Sequence, residues 1–80
     1  MGKKNELDGY ERLANAIIHL AAQDYMRALR SLKRNPNSRT ARQIADDNER
    51  FFRSDWYSAL TSVDGDYLIR RMKEKVGYEG

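Results

Sequence analysis

Between Tyr10 and Leu32 the chain repeats a single spacing. Tyr10, Ala14, Ile17, Ala21, Ala28 and Leu32 follow one another at three- or four-residue steps, with only the step from Ala21 to Ala28 spanning two turns. That is the period of one face of an α-helix, and Leu13, Ile18, Leu20, Tyr25 and Leu29 flank the same stripe. The spacing predicts a helix from about Gly9 to about Lys33, roughly 37 Å long at 1.5 Å per residue. Asp8, with Glu11 three residues later, reads as a capping box that opens it. Asn35-Pro36-Asn37-Ser38 closes it, because a residue before proline avoids the helical region and Asn37 or Ser38 can cap a second helix.

The rest of the chain must supply the surface that covers this helix. The second helix carries Ala41, Ile44, Ala45, Asn48, Phe51 and Phe52 on one face, with Asn48 the one discordant residue. Its outer face holds Asp46 with Arg50 and Glu49 with Arg53, two acid-first pairs at four-residue spacing worth about 0.2–0.5 kcal/mol each. Ser54-Asp55 ends that helix or caps a short third one, Trp56 to Thr61. Asp64-Gly65-Asp66 reads as a turn and a cap, and a fourth helix runs from about Gly65 to Val76 with Leu68, Ile69, Met72 and Val76 inward and Gly77 as its stop. No stretch alternates apolar and polar residues long enough to be a strand. The expected fold is all-α: a small bundle in which long helix 1 forms an antiparallel hairpin with helix 2, closed by short helix 3 and C-terminal helix 4. Residues 1–7 read as a polar mobile arm, 8–77 as one helical domain and 78–80 as a tail.

Eight aromatic residues are present, and four of them fall within Phe51–Tyr57, including the only tryptophan. A chain of 80 residues buries only about 60–65% of its unfolded surface, so large aromatics must carry much of the core. Phe51, Phe52 and Trp56 are therefore expected to form a structural hub where the helices meet. Trp56 should pack back on helix 1 and Tyr57 should be the exposed member. On that reading Trp56→Ala costs about 3–5 kcal/mol.

Charge supplies the one functional clue. Residues 25–42 hold Arg27, Arg30, Lys33, Arg34, Arg39 and Arg42 and no acid, whereas residues 43–69 hold six acids against Arg50 and Arg53. A net charge of +3 thus conceals a polarised molecule. Arg27, Arg30 and Arg34 share a helical face, and Arg39 and Arg42 begin the next helix, so these cations can gather at one end of the hairpin and meet an anionic partner. The bland alternative is that they answer the C-terminal dipole of helix 1 and solvate the surface.

Other motifs carry less. A helix-turn-helix over Ala41–Ser58 lacks its turn glycine, since Glu49 stands there, and would place Arg53, Tyr57 and Ser58 on bases from a segment expected to be buried. Asp64-Gly65-Asp66 lacks the closing glutamate of a calcium loop, having Lys75 in that position. His19 is the only histidine, there is no cysteine, and Asp46 and Asp47 are adjacent on a helix and so point about 100° apart. No enzyme, cofactor or metal is expected from this set.

The absence of cysteine fits a reducing cytoplasm. The longest apolar run, Ala16-Ile17-Ile18, is far short of a membrane span, and the start of the chain has neither a secretory core nor the serine or threonine that myristoylation wants where Glu6 stands.

Glu49-Arg50-Phe51-Phe52-Arg53-Ser54-Asp55-Trp56, followed by Val63-Asp64-Gly65-Asp66-Tyr67-Leu68-Ile69-Arg70-Arg71, resembles a group of small proteins of unknown activity carried by prophages and integrative elements of Gram-positive gut bacteria. Ala16-Ile17-Ile18 with Ala21 and Asp24-Tyr25 extends the likeness into helix 1. The resemblance implies a bacterial, intracellular, mobile-element origin and transfers no activity or site residue. The functional expectation is a non-enzymatic accessory or regulatory protein that binds a protein partner. The alternative is a nucleic-acid-binding module at the basic helix 1–helix 2 turn, and residual apolar surface on helix 1 could also pair two copies.

Overall fold

A computed structural model describes residues 6–79. Four helices follow one another: α1 (Glu6–Arg34), α2 (Arg39–Phe52), α3 (Asp55–Leu60) and α4 (Gly65–Val76). The chain folds as the expected all-α bundle. α1 packs along α2, and α4 lies against both, with Lys33 beside Val76 placing the C-terminal ends of α1 and α4 together. The helix begins at Glu6, so Asp8 and Gly9 lie inside it, and the capping box expected at Asp8 is not the start. Of the expected arm, Glu6 and Leu7 are helical, while residues 1–5 and the tail residue Gly80 lie outside the described residues.

The other boundaries have local causes. The Ser38 hydroxyl accepts the amide of Ala41 at 3.2 Å and starts α2. Ser54 accepts the Tyr57 amide at 3.1 Å while its own hydroxyl donates to the Phe51 carbonyl at 2.6 Å, so one serine ends α2 and starts α3. α3 therefore begins at Asp55, one residue before the expected start. At the end of α4, Gly77 takes φ 78°, its amide donates to Glu74 at 3.1 Å and the Tyr78 amide donates to Lys73 at 2.9 Å. These paired bonds satisfy the last carbonyls in a conformation that a side chain would strain.

Gly65 is required for a different reason. A Cβ there would overlap the carbonyl oxygen of Phe52, so the first turn of α4 can only seat against the end of α2 without a side chain. That close approach lets α4 cover the core formed by Tyr25, Leu29, Leu32, Phe52, Tyr57, Ile69 and Met72.

The aromatic hub differs from expectation in its membership. Phe52 is buried and Phe51 is partly buried against the core, as expected. Trp56, however, is 60% exposed, and Tyr57 is the buried neighbour at 2%. Tyr57 packs edge-on against Phe51 and Phe52 with ring centres 5.7 and 5.6 Å away, whereas Trp56 touches the cluster only through Phe51 at 5.3 Å. The cause is the Ser54 cap, which breaks the α2 phase. Trp56 and Tyr57 sit about 100° apart on a new helix whose inward face is Tyr57. The expectation that Trp56 packs on helix 1 is corrected accordingly.

Candidate binding surfaces

A polar cluster links three helices. The Tyr25 hydroxyl of α1 donates to Glu49 Oε2 of α2 at 2.5 Å, Lys73 Nζ of α4 lies 3.7 Å from the same oxygen, and Arg53 reaches Glu49 Oε1 at 3.3 Å. Arg53 also donates to Asp66 at 2.8 Å. Burial, reinforced by the hydrogen bond to Glu49, holds the Tyr25 hydroxyl far above the ordinary tyrosine range. Burial and then the charge of Asp64 push Tyr57 upward as well, and its hydroxyl has no hydrogen-bond partner. Of the two expected intrahelical pairs only Glu49–Arg53 forms, since Arg50 turns to Asp47 at 3.2 Å rather than to Asp46. Asn48, discordant in the apolar stripe, donates to the Ile44 carbonyl of its own helix at 2.9 Å and so meets its polar requirement locally.

The six cations proposed for an anionic partner lie at the end of the bundle where α1 stops and α2 starts, but they serve different neighbours. Arg27 pairs with Asp24 at 3.2 Å. Lys33 donates to the Val76 carbonyl at 2.9 Å and caps the end of α4. Arg34 lies 3.4 Å from the Ser31 hydroxyl, and Arg42 donates to the Tyr78 hydroxyl at 3.4 Å. Arg30 and Arg39 are exposed on the first and second helices. Lys75 of α4, not anticipated from sequence, joins Arg30, Lys33 and Arg34 around a cleft of about 330 Å³ that contains no acid. The missed signal was the parallel course of α1 and α4, which brings a distant lysine level with the end of α1.

A groove of about 360 Å³ opens between α1 and α2, lined by Ala28, Ala41 and the half-exposed Ile44 and edged by Asp24, Arg27, Ser31, Ser38 and Thr40.

His19 stands exposed on α1. Among the described residues no group of three or more His, Asp or Glu is arranged to hold a metal ion, and no helix is long and apolar enough to cross a membrane. Comparison with known protein families, characterised proteins and solved structures gives no match.

Proposed function

We propose that this protein is a non-enzymatic accessory module that binds an acidic segment of a protein partner at the α1–α2 end of the bundle. The observation that carries the reading is the juxtaposition of two unlike surfaces: the groove over Ala28, Ala41 and Ile44 is edged by Ser31 and by Arg27 in its pair with Asp24, and Arg34, which reaches Ser31, stands with Arg30 on the adjoining face of α1. A groove of this kind takes a small apolar side chain, while the arginines take flanking carboxylates. The mobile-element origin implied by the sequence block belongs to the same proposal, with a host or element-encoded regulator as partner.

Immobilised protein should capture a saturable partner from a lysate of a bacterium carrying such elements. Arg30→Glu together with Arg34→Glu should lose it. Equal capture by both forms, or no saturable capture, defeats the proposal.

Nucleic acid is the second reading, favoured by the acid-free cleft of Arg30, Lys33, Arg34 and Lys75. It predicts binding to a short duplex that weakens steeply with salt, together with amide shifts confined to residues near 27–42 and Lys75. A flat titration at low salt removes it.

A further inference from the structure

α1 has 29 residues, about 43 Å, while α2 with 14 residues and α4 with 12 span only about 21 and 18 Å. The long dimension of the molecule, 52 Å against 24 and 20 Å, reflects that mismatch. Beside the first turns of α1 stands α3, where the Tyr10 hydroxyl donates to the Ala59 carbonyl at 3.4 Å. Among the residues of this half whose burial is described, from Gly9 to Leu20, Ala14 alone is fully buried.

A second apolar stripe is left over. Tyr10, Leu13, Ile17 and Leu20 succeed one another at steps of three, four and three, the spacing of a coiled-coil seam. Leu13 is 62% exposed and Leu20 60%. The seam ends at Asp24, which is in the next position of the same spacing and is tied to Arg27.

We propose that a second copy of this chain covers the stripe, its α1 running antiparallel about a two-fold axis beside residue 15, so that Tyr10 meets Leu20 of the other copy and Leu13 meets Ile17. This occupant is preferred for two reasons. Seam-flanking positions normally carry the charges that select a foreign partner. Here the exposed flank, Gly9, Ala16 and Gln23, is uncharged, and on the other side Ala14 is buried and Ala21 packs against the bundle's own core. Identical chains brought face to face therefore meet no like-charge repulsion, and small flanking residues let the helices approach closely. Moreover, the apolar set maps onto itself only in this register, because a slide toward the C-terminus places Leu13 against the Asp24–Arg27 pair. A two-fold contact of this kind is closed, so assembly stops at the dimer.

Sedimentation equilibrium of the full chain from low micromolar to millimolar concentration tests this directly. A monomer–dimer equilibrium is expected, and Leu20→Glu, at a position exposed in the single chain, should weaken it by roughly tenfold or more with unchanged helical circular dichroism. The chain has no cysteine, so single thiols report register cleanly. Ala16→Cys lies beside the axis and should couple to its own copy, whereas Leu20→Cys should couple only when mixed with Tyr10→Cys. A monomer throughout the range overturns the proposal, as does a dimer indifferent to Leu20→Glu. Self-coupling of Leu20→Cys as fast as that of Ala16→Cys means parallel pairing and overturns the antiparallel register. A monomer whose stripe instead takes up an added amphipathic peptide transfers the surface to a foreign helix.

Discussion

The two halves of α1 carry the same kind of apolar pattern and meet opposite fates. In the second half Tyr25, Ala28, Leu29 and Leu32 are buried under α2 and α4, while in the first half Tyr10, Leu13 and Leu20 remain in solvent. Composition does not separate them, since both halves repeat leucine, alanine and tyrosine at helical spacing. What separates them is reach. α2 and α4 are each less than half as long as α1, so only part of the long helix can be covered. Helical periodicity thus tells which face is apolar, and the length of the partners tells how much of that face becomes core.

The largest expected effect tests that contrast. Leu29→Ala removes a side chain 1% exposed and should cost about 2–5 kcal/mol in urea unfolding. Leu20→Ala, measured at concentrations where the chain is monomeric, should change stability by no more than about 0.5 kcal/mol. Equal losses would mean that the first half of α1 is part of the same cooperative core.

Gly65→Ala comes next. The added methyl meets the Phe52 carbonyl, a backbone atom that cannot swing aside, and seating α4 then requires a shift of the whole first turn. A cost of about 1–3 kcal/mol is expected. Gly9→Ala provides the control in the uncovered half, where a Cβ meets nothing within 4 Å. Replacing this helical glycine should stabilise by about 0.5–1 kcal/mol.

Much of this is legible in the sequence, and the departures that matter most for the core and the surface depend on tertiary packing. The four helices, a cap at Asn37 or Ser38, the Gly77 stop and the inward Ile69 and Met72 are set by periodicity and cap chemistry, which are local. Trp56 and Tyr57 were exchanged because Ser54 resets the helical phase, and which face of a one-turn helix points inward is decided by the partner surface. Lys75 was missed at the cationic end because it joins Arg30 and Lys33 only through the α1–α4 packing, across more than 40 residues of chain. The Tyr25–Glu49–Lys73 cluster was missed likewise, as each member reads as an ordinary surface or stripe residue until three helices meet.

Alkaline pH offers a medium-sized effect that arises in the core. Tyr25 and Tyr57 both titrate higher in the folded chain than the usual unfolded value near 10. The folded state therefore keeps protons that the unfolded state releases. The stability they confer is fully present below pH of about 10 and falls above it, by up to about 1.4 kcal/mol per pH unit for each tyrosine. Chemical denaturation at stepped pH should show this decline, and Tyr25→Phe should make it shallower while lowering the plateau through the loss of the bond to Glu49. A pH dependence unchanged in Tyr25→Phe would place that hydroxyl in water.

The smallest effects come from the neighbours Trp56 and Tyr57, and they should differ in sign. Trp56→Ala removes a large ring that is mostly solvated and whose one aromatic contact is edge-on with Phe51, so a loss of no more than about 1 kcal/mol is expected, well below the cost of deleting a core tryptophan. Tyr57→Phe keeps the ring that packs on Phe51 and Phe52 and deletes a hydroxyl that is buried without a partner. Desolvating that hydroxyl opposes folding with no hydrogen bond to offset it, so the phenylalanine should gain from a few tenths to about 1 kcal/mol. A loss on Tyr57→Phe would show that the hydroxyl has a partner in solution, with the polar side chains of Asp64 and Ser58 on the neighbouring wall the first to examine by single substitution.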